Sequence, residues 1–113
     1  MPILKIATDL QSSQIPSDFL AKASSLVATL TGKPESYVQV VLNSNNAISF
    51  GGKVSSSAFV ELGSIGGFGG KTNEIAEALT GLISSNLKIP KDRFYIKFTE
   101  IEASELSHNG STF

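Results

Sequence analysis

An internal repeat is the feature of this sequence that most restricts its fold. Residues 32–40, GKPESYVQV, resemble residues 88–96, KIPKDRFYI, and the prolines of the two segments lie 56 positions apart. The same offset places the apolar-apolar-charged-apolar run at 3–6 on the same pattern at 59–62. Agreement at separate places along a chain of 113 residues is typical of a duplicated structural unit. Each copy is too short to bury a core alone, so both belong to one domain.

Each copy predicts a strand, a helix and a second strand. The helices are predicted from apolar residues three and four positions apart on one face: Phe19, Ala23, Leu26, Val27 and Leu30, and then Ile75, Leu79, Leu82 and Ile83. We predict one α/β domain, of the two-layer α+β kind, over residues 1–113. Its units, at about 2–56 and 58–113, form a tandem β-α-β repeat with a four-stranded mixed sheet and two helices on one face.

The helix ends are predicted from capping residues and helix breakers. Side chains able to cap a helix start occur at 17–18 and at 72–73. Gly32 and Pro90 are placed to end the first and second helix.

The alternation along the strands predicts a sheet with two unlike faces. The face toward the helices is apolar throughout: Leu4, Ile6, Val38, Val40, Leu42, Val60, Leu62, Phe94, Ile96 and Phe98. The other face mixes apolar residues with Lys5, Glu61 and Lys97. A solvated face is one interpretation, and we favour a subunit interface around a partly polar interior. Residues 47–50 and 106–113 are predicted as edge strands that pair across subunits.

Composition excludes several classes of function. The net charge is −1 and no basic block is present, which argues against a nucleic-acid partner. No apolar run is long enough to span a membrane. The first residues lack the pattern of a secretory signal, so we expect a cytoplasmic protein. Cysteine is absent and His108 is the single histidine, which excludes thiolate and multi-histidine metal sites.

A glycine-rich run, GGFGGKT at 66–72, precedes the second helix. It resembles the end of a phosphate-binding loop, but that motif needs glycine where Ile65 stands. Four main strands are also too few for the usual fold of such nucleotidases. A flexible strand-to-helix turn is therefore the better interpretation, and a nucleotide-binding module is a distant alternative.

Pro2 is notable because of its position. Methionine before a small residue such as proline is generally removed, which would leave the proline nitrogen as a free secondary amine. An α-amino group titrates at about 7.7–8.0, and burial or a nearby cation lowers that pKa. A base of that strength suits general acid–base catalysis.

Together these segments resemble the macrophage migration inhibitory factor and D-dopachrome tautomerase family, within the tautomerase superfamily. The resemblance covers essentially the whole chain, and these segments carry it: Met1-Pro2 before an apolar strand, Gly32-Lys33-Pro34, Phe50-Gly51-Gly52, Ser64-Ile65-Gly66, Pro90-Lys91-Asp92-Arg93 before Tyr95-Ile96, and Asn109-Gly110-Ser111-Thr112-Phe113.

The resemblance implies a homotrimer whose sheets enclose a central channel, with active sites at subunit boundaries. It implies cofactor-independent isomerisation of small aromatic 2-keto acids or dopachrome-like compounds. Carried over by position, Pro2 is the catalytic base, and Lys33 and the backbone N–H of Ile65 bind the substrate's carboxylate or enolate oxygen. The resemblance also implies an aromatic-accepting wall: Ile3, Tyr37, Tyr95, Leu106 and Phe113, with Tyr95 supplied by a neighbouring subunit.

Three departures qualify the resemblance. Lys97 stands where well-known members have asparagine; it adds a cation that would lower the pKa of Pro2 further and favour more anionic substrates, or it blocks the pocket with its stem. His108 stands where tryptophan is common at the pocket rim. Ser57 and Val60 replace a Cys-x-x-Cys motif, so thiol-disulfide activity is not implied.

Two functions follow from the resemblance. The first is a keto–enol tautomerase of the phenylpyruvate or dopachrome type that uses Pro2. The second is a cytokine-like signalling protein with weak or vestigial activity, which leaves the cell without a signal peptide and binds a cell-surface receptor. No cofactor, metal, nucleic acid or membrane is expected in either.

Overall fold

The computed structural model describes all residues, 1–113, and its elements follow the repeat. The four main strands are β1 (Ile3–Thr8), β2 (Gln39–Asn43), β3 (Ala58–Ile65) and β4 (Phe94–Ile101). The helices are α1 (Phe19–Thr31) and α2 (Thr72–Leu87), and a terminal hairpin contains β5 (Ser107–His108) and β6 (Ser111–Thr112).

The main strands form one mixed sheet in the order β2-β1-β3-β4. Strand β1 is parallel to β2, and β3 is parallel to β4, as expected where a helix connects the two strands of each unit. The units join through an antiparallel pairing of β1 with β3 at the centre. The predicted four-stranded mixed sheet with two helices is confirmed.

One hydrophobic core of 15 buried residues lies between the sheet and the helices. The sheet contributes the side chains that sequence parity assigned to the inner face, including fully buried Leu4, Ile6 and Leu62. The helices contribute their predicted apolar faces, including Phe19 and Leu79, which are fully buried as well. Each such side chain stabilises the fold by about 1.5–3 kcal/mol, so the amphipathic pattern alone accounts for the packing of the layers.

The helix starts differ from the prediction. Asp18 occupies the cap position of α1, but its side chain makes no capping hydrogen bond and instead pairs with Lys22 Nζ at 3.2 Å. Helix α2 begins at Thr72 after Lys71, again without a side-chain cap. The prediction of a cap at 72–73 was therefore wrong, because the chain turns into the helix one residue earlier.

The helix ends are equivalent in the two units. Gly32 ends α1 in the left-handed region at φ 66°, as predicted. At the equivalent place Lys88 ends α2 at φ 58°, two residues before Pro90. A lysine therefore adopts a backbone conformation that glycine adopts with less strain.

Residues 47–50 form no ladder within the single chain, and Phe50 makes one bridge to Lys53. The pairing of this segment across subunits stays a prediction. The Arg93 guanidinium orders the residues that follow, because it donates hydrogen bonds to the carbonyl oxygens of residues 50, 53, 55 and 56 at 2.9–3.3 Å. Four backbone acceptors satisfied by one side chain hold the segment as a loop.

The tail at 106–113 pairs with itself. Asn109 and Gly110, at φ 54° and 84°, form the two-residue turn between β5 and β6. The Phe113 N–H donates to the Leu106 carbonyl at 3.2 Å and closes the hairpin. Within one chain the segment is therefore a hairpin, and its pairing with another subunit stays a prediction.

Candidate active site

The candidate site forms around the N-terminus, at the start of central strand β1. Pro2 is buried, and its carbonyl accepts a hydrogen bond from the Gln39 N–H at 3.1 Å. In the structure Met1 precedes it, half-buried, so the free amine belongs to Met1 and the Pro2 nitrogen is an amide. Removal of Met1 would transfer the free amine to a proline whose backbone is already fixed by the sheet.

Two physical effects lower the pKa of this terminal amine. Burial is the larger cause, because it disfavours the charged ammonium form. The positive charge of Lys33 is the second, because it repels a proton on the amine. Lys33 follows Gly32 at the end of α1, so the left-handed turn after that helix brings a cation close to the start of β1.

A cavity of about 300 Å³ opens beside the N-terminus. It brings together Met1 and four of the residues predicted as substrate-binding: Ile3, Tyr37, Leu106 and Phe113. Strand β1, the turn before β2 and the terminal hairpin supply these side chains. An apolar cavity next to an amine is a suitable place for an aromatic substrate.

The aromatic part of this cavity is a three-ring cluster of Tyr37, His108 and Phe113. The Tyr37 ring meets His108 and Phe113 edge-on, with centroids 5.9 and 6.2 Å apart. The His108 ring stacks on Phe113 at 6.3 Å with an interplanar angle of 25°. These are favourable geometries for ring pairs. His108 therefore contributes an aromatic ring to the cavity wall, at the rim position where tryptophan is common.

A second cavity, of about 340 Å³, contains Lys33 and Ile65. The glycine-rich turn at 66–69, Lys71, the end of α1 at 29–32 and Ile75 form the rest of its lining. Gly67 has φ 78°, a left-handed backbone conformation in which any other residue is strained. Lys33, whose charge lowers the pKa of the terminal amine, thus shares this cavity with Ile65. The Lys33 side chain and the Ile65 backbone N–H were predicted to bind the same carboxylate or enolate oxygen of the substrate.

Tyr95 and Lys97 lie apart from both cavities within one chain. Both are on β4, and the Tyr95 side chain is 68% exposed and contacts Phe50 at a ring distance of 5.0 Å. Lys97 is in register with Glu61 of β3. A single chain therefore brings seven of the nine predicted residues to the N-terminus and its two cavities. The contribution of Tyr95 and Lys97 to a neighbouring subunit's site stays a prediction.

Sequence reasoning missed three polar residues that line the first cavity: Ser36, Gln39 and Ser107. Ser36 and Ser107 neighbour Tyr37 and Leu106, which were predicted. His108 also lines this cavity, at the rim position that the family resemblance implied.

Two further features of the structure concern metal binding and membrane insertion. No group of three or more histidine, cysteine, aspartate or glutamate side chains is arranged to hold a metal ion. None of the helices combines the length and the apolar character that a membrane span requires.

Comparison with known proteins decides the family. The sequence model described as "Macrophage migration inhibitory factor (MIF)" matches residues 1–113. The chain belongs to the MIF family. A macrophage migration inhibitory factor homolog of Brugia malayi is 48% identical over 114 aligned residues, which cover 100% of this chain and 99% of the relative.

Solved structures of the MIF family share the fold. The macrophage migration inhibitory factor of Trichinella spiralis superposes with a TM-score of 0.94 at 37% identity, covering 98% of this chain and 99% of that one. The homologue from Prochlorococcus marinus gives a TM-score of 0.91 at 36% identity, with 98% of each chain covered. The family resemblance derived from the motifs is thereby confirmed.

Proposed function

We propose that this protein is a cofactor-independent keto–enol tautomerase of small aromatic 2-keto acids, of the phenylpyruvate or dopachrome type, with Pro2 as its base. The observation that carries the proposal is the place of the terminal amine between Lys33 and an aromatic cavity, where burial and then the lysine charge lower the pKa of the Met1 amine. The same surroundings would act on a Pro2 amine after removal of Met1, and a lowered pKa favours the neutral form that a general base needs. Membership of the MIF family, within the tautomerase superfamily, supports an isomerase.

The reaction moves one proton and needs no redox partner. After removal of Met1, the neutral Pro2 nitrogen takes a proton from the carbon beside the substrate carbonyl. The electron pair of that C–H bond forms the C=C bond of the enolate, and the π pair of the carbonyl moves to its oxygen. The Lys33 ammonium and the Ile65 N–H stabilise the negative charge that develops on this oxygen. Protonation of the oxygen yields the enol and restores the base, and the reverse sequence yields the keto form.

We further propose that the working unit is a homotrimer in which Tyr95 and Lys97 complete a neighbour's site. Both side chains lie on exposed positions of β4, away from the cavities of their own chain. The sheet face outside the core also exposes Phe59, whose side chain is 45% accessible. A partner that covers this face would bury apolar area and bring two chemically useful residues to another N-terminus.

The test is turnover of phenylpyruvate by protein whose mass shows that Met1 is absent. Pro2→Gly is expected to lower kcat about 10²–10⁴-fold, the range for loss of a general base. The matched control is the same chain with Met1 retained, which changes no side chain but turns the Pro2 nitrogen into an amide; it should be equally inactive. Equal turnover by the wild type and both variants would refute the role of Pro2.

A signalling role is the second candidate, because curated relatives are named macrophage migration inhibitory factor homologs. In this alternative the cavity is vestigial, a cell-surface receptor is the partner, and a mainly cytoplasmic protein leaves the cell without a signal peptide. The same samples discriminate the functions in a macrophage migration assay. Migration inhibited by a protein that lacks turnover, with Pro2 free at the N-terminus, would favour the signalling role.

A further inference from the structure

One side chain holds the loop at 50–56 against the start of β4. Arg93 directly precedes β4, and its guanidinium makes the four hydrogen bonds to carbonyl oxygens of this loop. The backbone of Arg93 is itself fixed, because its N–H donates to the Pro90 carbonyl at 3.0 Å and its carbonyl accepts from the Ala58 N–H at 3.3 Å. A planar guanidinium with several partners holds them in a defined arrangement. The conformation of the loop therefore depends on Arg93.

The guanidinium also contacts the ring at the start of this loop. The Arg93 Cζ atom lies 5.7 Å from the centroid of the Phe50 ring, within the range of a cation–π contact. Arg93 thus binds Phe50 twice, through this ring and through a hydrogen bond of 2.9 Å to its carbonyl. Phe50 is half-buried and lies outside the hydrophobic core. Its position is therefore set by the arginine and not by the packing of the layers.

Phe50 in turn packs against Tyr95. The two ring centroids are 5.0 Å apart at an interplanar angle of 52°, and no other aromatic ring lies against Tyr95. Tyr95 is largely exposed, and exposed side chains change rotamer within nanoseconds when nothing holds them. The contact with Phe50 is therefore what restricts the tyrosine ring within one chain.

We propose that Arg93 is a positioning residue for Tyr95: it fixes Phe50, and Phe50 holds the tyrosine ring in the orientation that a neighbouring subunit's cavity receives. The proposal rests on the proposed function for the place of Tyr95 in a neighbour's site. Arg93 touches no substrate and acts only through the two rings. A wall that is ordered before the substrate arrives binds it more tightly than a mobile one, so Arg93 contributes to binding and not to proton transfer.

The composition of the chain makes the orientation of Tyr95 measurable. The sequence has no tryptophan and two tyrosines, so Tyr37→Phe leaves Tyr95 as the only source of the tyrosine band in near-ultraviolet circular dichroism. In that background Arg93→Met, which keeps an apolar stem and removes every donor, is expected to reduce the band about twofold or more, because a mobile ring averages its signal. Lys91→Met removes an exposed charge from the preceding turn, is the matched control and should keep the band.

Phe50→Leu tests the intermediate link. Arg93 donates to the backbone carbonyl of this residue, so the variant keeps that hydrogen bond and removes only the ring contacts. The tyrosine band should fall as it does in Arg93→Met. Arg93→Lys, which keeps a cation and fewer donors, should give an intermediate band. If far-ultraviolet spectra show that Arg93→Met is unfolded, Phe50→Leu and Arg93→Lys decide the test, and an unchanged band in Phe50→Leu overturns the proposal.

Binding of an unreactive ligand measures the consequence for the site. The affinity of 3-phenylpropionate is determined by calorimetry in chains that retain Tyr37. Arg93→Met and Phe50→Leu should weaken binding about two- to tenfold, the value of one aromatic contact. Neither should weaken it further in a chain that already carries Tyr95→Ala, because the proposed effect passes through that ring. Losses of equal size with and without Tyr95 would show that Arg93 acts elsewhere and would refute the proposal.

Turnover separates this proposal from the proposed function. With phenylpyruvate, Arg93→Met should raise KM by the same factor and leave kcat unchanged, since the base and Lys33 are untouched. Turnover that depends on Pro2, together with an unchanged KM in Arg93→Met, would overturn the role of Arg93 and leave the proposed function intact. Weaker ligand binding that requires Tyr95, in a protein without turnover, would support the role of Arg93 and count against the proposed function.

Discussion

Lys33 affects the proposed reaction in two ways through one positive charge. It attracts the anionic end of a 2-keto acid, and, after burial, it is the second cause that lowers the pKa of the terminal amine, because it raises the energy of a second cation nearby. Both effects favour catalysis near neutral pH, because the base must be neutral while the substrate is anionic. The same geometry explains why Lys33 is useful at the end of α1 beyond its favourable interaction with the helix dipole.

Replacement of Lys33 by methionine tests this double role. The variant has a stem of similar length without charge, so the amine pKa should rise and the acidic limb of the kcat/KM profile should move to higher pH. The KM for phenylpyruvate should increase as well, because an ion pair with the carboxylate is lost. Lys71→Met, which neutralises another lysine of the second cavity, is the control and should leave the acidic limb in place. Identical shifts in both variants would contradict the assignment to Lys33.

Residue roles at the site were predictable only where a motif identified them. The sequence placed Pro2, Lys33 and Ile65 in one site through the family resemblance, since no local rule reveals that positions 2, 33 and 65 meet. The orientation of His108 depends on packing against Phe113 and Tyr37, which is tertiary information. The lower pKa of the Pro2 amine that we expect from Lys97 stays a prediction. Within one chain Lys97 lies on β4, and Lys33 is the cation that lowers the pKa of the terminal amine.

At the scale of elements, the spacing of apolar residues was sufficient to predict the helices and the inner face of the sheet. The capping residues were not sufficient to predict how the helices begin. Spacing alone predicted the apolar faces of α1 and α2 and the inner face of the sheet, because apolar residues at these intervals lie on the buried side of an element. The predicted side-chain caps are not formed, because individual side-chain contacts decide them: Asp18 pairs with Lys22 on the next turn rather than with its helix end. The loop that begins at Phe50 is held by Arg93, which is distant in sequence. Contacts of this kind leave no periodic signal.

The left-handed end of α2 offers a stability prediction. Lys88 lies where the first unit has glycine, and a side chain in this backbone region is strained. Lys88→Gly is expected to raise the free energy of unfolding by about 0.5–1 kcal/mol, since relief of strain exceeds the entropy that glycine adds to the unfolded chain. Urea denaturation at constant protein concentration measures it.

Lys91→Gly is the comparison for that experiment. Lys91 is also exposed and follows the same helix, but its φ is not positive. This substitution brings only the entropic cost, so stability should stay constant or fall. A fall in both variants would show that Lys88 is not strained.

At the scale of the whole molecule, the two faces of the sheet differ in composition and exposure. The inner face forms the core within one chain, whereas the outer face carries Lys5, Glu61 and Lys97 in register across β1, β3 and β4. Glu61 accepts a hydrogen bond from Thr99 at 2.7 Å, which orders a charged group on a surface that also exposes Phe59 and Tyr95. The alternation of side chains along the strands predicted this mixture of charged and apolar residues. The number of subunits that cover the face depends on contacts between chains, which the alternation does not encode.

A shared site makes the proposed trimer testable by mixing. Pro2→Gly and Tyr95→Ala chains are unfolded together, refolded and compared with the average of separately refolded samples. If Tyr95 completes a neighbour's site, about a quarter of the sites in random mixed trimers regain both residues, and turnover exceeds that average. If each site uses residues of one chain, every site keeps one lesion and turnover equals the average. Sedimentation of the wild type at about three times the chain mass of 11.9 kDa is expected alongside, and a monomer would contradict both the trimer and the shared site.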